Sequence, residues 1–320
     1  MYKKLFVVCI VFSFFWTQLF FGQSNITVIS SIRQAIDVFE AATPEDLFVF
    51  DVDETLIEPT DPTRQFRYRV SIADQLQRDE FKEISDDLIA CFPSEKNFYD
   101  YCFHEHKSEP HYIFISAKIK GHQQPVEQEM IEAILGLQKR SIKIISLTAF
   151  WPGRWYDIPR IEAERYHQLC MIGLDFSKSF PIEEMVFSDL REEKRGLHPL
   201  FYKGVICATQ GVPKGIVLAE FLNKMNFKPA HIYYFDDNET YCQSVATEID
   251  KLGIPCQVFH YQAARKGQGS FELNLEVFKF ECELMKQRGD FVSYLEAQEI
   301  FNAQLNVENA QFLRNGSLKA

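Results

Sequence analysis

Two acidic clusters close runs of apolar residues. Asp51, Asp53 and Glu54 end "LFVFDVDET", and Asp236 and Asp237 end "HIYYFDDN". In an extended strand, side chains i and i+2 share a face. Asp51 and Asp53 are therefore expected to face one ligand while Val52 turns back to the core. Carboxylates this close repel one another, and burial further disfavours their charged form. A divalent cation removes both penalties. Hard oxygen donors that leave room for water and a phosphate suit Mg²⁺, and Asp51, Asp53, Asp236 and Asp237 form a candidate ligand set. Either cluster alone reads equally well as a helix N-cap; their combination points to a metal.

The elements that must position these acids follow from the pattern around them. "LFVFD" is one of five short apolar runs, the others being "IKIISLTA", "YKGVICAT", "HIYYFDDN" and "IPCQVFHY". Segments of helical period lie between them: "PVEQEMIEAILGLQKR", "KGIVLAEFLNKM" and "NETYCQSVATEIDKLG". Alternation of this kind predicts an α/β fold with an open, mostly parallel, Rossmann-like sheet and helices on both faces. Ligands of such sheets bind outside the carboxyl ends of the strands, and three of the runs end there in Asp51, Thr148 and Asp236. A further amphipathic helix is expected over 31–42, with Ile32, Ala35, Ile36 and Phe39 on its buried face.

Between Leu56 and about Pro125 the pattern turns helical and irregular, with candidate helices "SIADQLQRDEFKEISDDLIACF" and "SEKNFYDYCFHEH". This reads as a helical cap inserted over 61–124, leaving 24–60 and 125–320 as the α/β core. Helices in the tail after Phe271 are expected to pack on the outside.

The chain begins with two lysines, an apolar run from Leu5 to Phe21 and then small and polar residues. Residues 1–23 thus have the form of a signal peptide or membrane anchor, and the protein is expected to be exported. Any membrane contact is expected through this segment alone. The net charge of −11 argues against nucleic acid as a partner but not against a small anion at a local cluster of cations. None of the eight cysteines forms a CxxC pair, and the eight histidines form no HExxH motif, which disfavours zinc.

The set "DVDET", "IISLTA", "VPKG" and "FDDN", in that order, resembles the four motifs of the haloacid dehalogenase (HAD) superfamily of phosphotransfer enzymes, and its exported acid-phosphatase-like branch in particular. The resemblance spans Leu47 to Asn238. It implies hydrolysis of a small phosphate monoester with Mg²⁺ as cofactor. Asp51 would be the nucleophile, and Asp53 the acid and base, with its backbone carbonyl on the metal. Thr148 and Lys214 would bind phosphate, Lys214 also offsetting Asp51. Asp236 would ligate the metal directly, with Asp237 acting through water or behind it. Thr55 would cap the turn, and Glu54, in the turn or facing solvent, has no assigned role. One departure is "LTAFWPGRW", where Phe150 follows Ala149 and the first arginine is Arg154. A phosphotransferase or mutase would need the same residues; a non-catalytic exported surface protein would not. Arg64, Arg67, Arg69, Arg154 and Arg160, with Trp151 and Trp155, could hold an organic phosphate, although surface ion pairs and cap packing are the commoner use of such residues.

Overall fold

The computed structural model describes residues 26–76, 78–81, 118–154, 158–193, 196–266 and 269–316. The leader, the segment "SEKNFYDYCFHEH" expected to be a helix and Trp155 lie outside the described residues.

Ten strands are described: β1 (Ile26–Ile29), β2 (Leu47–Phe50), β3 (Ile57–Pro59), β4 (Gln123–Pro125), β5 (Lys143–Thr148), β6 (Glu184–Val186), β7 (Leu200–Tyr202), β8 (Val205–Cys207), β9 (Ile232–Asp236) and β10 (Cys256–Tyr261). Eight of them form one sheet in the order β1-β10-β9-β2-β5-β8-β7-β6. From β1 to β8 neighbouring strands run parallel, and β7 and β6 extend the sheet antiparallel. The protein is thus an α/β protein with an open, mostly parallel sheet, and four of the five apolar runs supply its central strands β2, β5, β8 and β9.

Helices cover both faces, as continuously apolar strands require. On one face, Phe39 of α1 (Ile36–Ala41), Met130, Ile131, Ile134 and Leu137 of α2 (Gln128–Lys139) and Leu169 of α3 (Ile161–Met171) pack on Phe48, Phe50 and Ile144. On the other, Val217, Leu218 and Phe221 of α4 (Lys214–Lys224) and Val245 and Ile249 of α5 (Glu239–Lys251) pack on Leu47, Val49, Ile145 and Tyr234. The stretch expected to be one helix over 31–42 is a 3-10 turn, Ile32–Ala35, followed by α1. This break turns Ile36 outward, 37% exposed, while Ile32, Ala35 and Phe39 stay buried as expected.

"YKGVICAT" divides differently from a single strand. Tyr202 ends β7, and Lys203 and Gly204 make a two-residue turn into β8. Both turn residues have positive φ, 48° and 87°, the turn type whose twist matches a β-hairpin. A Cβ on Gly204 would lie 2.5 Å from the Phe176 Cβ and 2.6 Å from its carbonyl oxygen. Gly204→Ala is therefore expected to cost about 1–3 kcal/mol, measured as a lower denaturant midpoint with an unchanged slope.

β3 and β4 form a separate antiparallel ribbon, pairing Ile57 with Pro125. The residues assigned to the cap leave and re-enter through this ribbon. Their described portions include a helix over 69–76 and Phe81, and these do not stand apart from the tail. Ile72 and Phe81 share an apolar cluster with Val277, Phe278, Cys282 and Met285 of the helix Leu275–Arg288 and with Tyr294 and Ala297 of the helix Tyr294–Gly316. The described cysteines, Cys170, Cys207, Cys242, Cys256 and Cys282, are free thiols. No helix among the described residues is long and apolar enough to cross a membrane.

Candidate functional site

Strand parity and register bring the two acidic clusters together. Leu47 and Val49 point into the α4/α5 side of the core, as do Ile232 and Tyr234 on β9. Asp51 and Asp236 continue these two series. Phe50 pairs with Phe235, and the Asp51 amide donates to the Phe235 carbonyl at 2.8 Å, so the two acids are neighbours on adjacent strands. Lys214, the first residue of α4, reaches both. Its Nζ lies 2.5 Å from Asp51 Oδ1 and 2.7 Å from Asp236 Oδ2, with all three side chains buried. The ammonium also sits 4.5 Å above the Tyr241 ring. Asp236 is further held by the Tyr234 hydroxyl and, at 2.8 Å, by the Asn238 amide.

The turn after β2 closes the other side. Thr55 does more than cap it: its hydroxyl lies 3.4 Å from Asp51 Oδ2 and accepts the Asp237 amide at 3.1 Å, tying the two clusters to each other. Glu54 is in this turn, at φ 62°, and is buried rather than solvent-facing. Its Oε1 lies 3.9 Å from the Lys118 ammonium. β2 ends at Phe50, so the two-residue alternation does not carry on to Asp53. Its carboxylate turns to Arg165, whose Nη2 lies 2.7 Å from Asp53 Oδ2. Asp237 pairs with Arg265 at 3.0 Å.

Asp51, Asp236 and Asp237 each offer a carboxylate oxygen within 4.8 Å of the others. Three hard oxygen donors at this spacing fit a small divalent cation, and the cluster can hold a metal ion. Asp53 contributes no side-chain atom to it.

Burial raises the Asp51 carboxyl to about 7, with Lys214 pulling it down and Asp236 and Asp53 pushing it up. Burial also raises Asp237, and the charges of Glu54, Asp236 and Asp51 add to this against Arg265. Asp53 moves the other way: burial would raise it, but the charges of Arg165 and Lys118 hold it below the usual carboxylate range. Burial would lower the Lys214 ammonium, but Asp236 and Asp51 raise it, so it remains a cation.

Thr148 ends β5, beside β2, and its hydroxyl accepts the Phe150 amide at 3.2 Å. The arginines considered for substrate binding are mostly engaged elsewhere. Arg64 pairs with Glu281, Arg67 with Glu58, and Arg160 with Glu162 and Glu184. Arg154 is exposed, Trp151 is buried, and the Arg69 side chain is outside the described set. Arg165, Arg265 and Lys118 were not singled out in the sequence. A signal existed for Arg165: it lies four residues from Ile161 and from Leu169, in the middle of a buried helical stripe.

The fold and site define an α/β protein with a buried carboxylate cluster, able to hold a metal, at the carboxyl end of its sheet. Comparison with known families assigns the chain more narrowly. It belongs to the family described as "Protein of unknown function (DUF2608)", which matches residues 25–299. A protein of Rickettsia bellii (strain RML369-C), described as "Uncharacterized protein", is 23% identical over 188 residues, 58% of this chain and 57% of that protein. The chain thus spans little more than half of that relative's length. No solved structure gives a significant match.

Proposed function

We propose that the chain is an exported, Mg²⁺-dependent phosphohydrolase of the HAD superfamily, acting on a small phosphate monoester through an aspartyl-phosphate on Asp51. The observation that carries this reading is one buried ammonium, Lys214, bridging Asp51 and Asp236 at 2.5 and 2.7 Å beside a third carboxylate suited to a cation. A structural ion pair needs one acid for one base.

With every group ionised, Asp51, Asp53, Glu54, Asp236 and Asp237 meet Lys214, Arg165, Lys118 and Arg265, which leaves one negative charge in excess. Bound by Asp51, Asp236 and Asp237, a divalent cation would reverse that sign and screen an incoming phosphate from the acids. Asp51 then bonds to phosphorus as the ester oxygen leaves. Asp53 gives that oxygen a proton and afterwards takes one from the water that releases phosphate from Asp51. Its resting ionised state suits the second step directly. For the first, an approaching phosphate anion raises its proton affinity by like-charge repulsion. Lys214 stays charged and offsets the transferring oxygens, and Thr148 offers a hydroxyl at the neighbouring strand end. Export rests on the form of residues 1–23.

The test is release of inorganic phosphate from generic esters with Mg²⁺ and with a chelator. Metal-dependent release is expected, and its absence across alkyl, aryl and sugar phosphates counts against the reading. A second expectation concerns pH. The proton that Asp51 retains up to about 7 competes with the cation. Affinity for Mg²⁺ should therefore rise with pH, by about tenfold per unit for each proton displaced, Asp237, also raised, adding to the effect of Asp51. Calorimetry at three pH values checks this; a flat profile counts against Asp51 as a ligand.

A further inference from the structure

We propose that Arg165 is the positioning residue for Asp53, fixing the orientation in which that carboxylate exchanges protons with the ester and with water. This deepens the phosphohydrolase reading and rests on it. Arg165 is fully buried on α3, on the side of the sheet away from Lys214. A buried guanidinium is expensive unless its surroundings are built for it, and here they are. Nη2 lies 2.7 Å from Asp53 Oδ2, and the guanidinium carbon lies 4.8 Å from the centre of the Phe150 ring. Nη1 donates to Gln168 Oε1 at 2.7 Å and to the Lys118 carbonyl at 3.2 Å. Gln168 in turn donates to the Lys118 and Ile119 carbonyls at 2.9 and 2.8 Å.

The group is therefore held through Nη1, by the Asp53 carboxylate and by the Phe150 ring, while Nε makes no hydrogen bond among the described residues. Asp53 lies past the end of β2, where its backbone bridges to Ile57 and the guanidinium holds its carboxylate. The clamp includes Lys118 and Ile119, a few residues before β4. The same arginine thus fixes Asp53 relative to the point where the inserted segment rejoins the core. It also occupies the space beside Phe150, in the loop where the sequence departs from the acid-phosphatase pattern. Its head group is spent on Asp53, on Gln168 and on the Lys118 carbonyl, which separates its role from phosphate binding by a surface arginine.

The test is a double-mutant cycle on phosphate-ester hydrolysis with Mg²⁺. Arg165→Met is expected to lower kcat on the order of 10²-fold, the lower end of what a positioned acid and base contributes, with KM changed by less than about threefold. In an Asp53→Asn background the same substitution should cost less than about threefold, because the carboxylate it positions is gone. Arg165→Lys should recover part of kcat. The double variant also removes both charges of the pair together, which guards against misfolding from the buried guanidinium left unpaired; unfolding midpoints of all variants confirm that they are folded.

Equal losses in both backgrounds, or a loss confined to KM, would overturn the assignment while leaving the phosphohydrolase reading intact, provided wild type is active and Asp51→Asn is not. An inactive wild type removes both.

Discussion

Asp51→Asn should abolish Mg²⁺-dependent phosphate release, by at least about a thousandfold, because it removes the nucleophile and with it the covalent route. The substitution keeps the shape of the side chain and removes one negative charge from a site that has one in excess. Lys214 retains Asp236 at 2.7 Å, so its charge is not orphaned. The variant should therefore fold with a midpoint close to that of wild type, and the loss can be read as chemistry. A trapped phospho-protein makes the comparison sharper. Wild type quenched in acid during turnover should carry one acid-stable, base-labile phosphate, and Asp51→Asn none. Equal turnover by the two proteins would refute the nucleophile assignment whatever the metal does.

Lys214→Met has the largest expected effect on the fold. Its ammonium is buried between two carboxylates, and removing one partner of a buried ionic group costs about 3–5 kcal/mol. The two acids must then either take up a proton or repel each other. Without metal, the variant should unfold at markedly lower denaturant, and the deficit should grow as pH rises through the range in which Asp51 ionises. Its sign follows from the raised carboxyl: the folded state holds a proton that the unfolded chain has lost, so stability falls with increasing pH until that proton leaves. Added Mg²⁺ should restore part of the loss by linkage, since the cation supplies charge where the ammonium did. A deficit insensitive to both pH and Mg²⁺ would mean that Lys214 is held by packing alone. Activity should be lost in either case, because no ammonium remains to offset the transferring oxygens.

Much of this was legible in the sequence, and for identifiable reasons. The central strands announce themselves as apolar runs because both their faces are covered. The residues at their ends stand out because charge beside such a run is costly. Asp51 and Asp236 could be placed from strand ends and polarity, since their neighbourhood follows from parity and register, whereas Lys214 was expected only from the resemblance to the HAD motifs. The edge elements could not: β1 is four residues, half-exposed, and has meaning only through its pairing with β10. The β6–β7 extension is equally short and depends on a turn inside what reads as one run.

At the site, the cations other than Lys214 were missed. Arg165, Arg265 and Lys118 come from three different elements, and none of them lies in the four motifs that marked the acids. Strand alternation misled at Asp53 because the strand stops three residues earlier. Glu54, unexplained by pattern, gains an account from tertiary structure: it is a buried acid in a left-handed turn, facing Lys118.

The apolar cluster shared by Ile72, Phe81 and the two C-terminal helices also governs the order in which the molecule can be made. Asp61, near the front of the chain, accepts the backbone amide of Tyr294 at 2.9 Å, and Arg64 pairs with Glu281. β2 can pair with β5 first but gains its other neighbour, β9, only later, and β1 waits for β10. A ribosome making this chain therefore releases Asp61, Arg64 and Ile72 well before the segments they dock against, and closing such distant contacts is slow. These N-terminal residues complete their packing only once the two C-terminal helices have been made.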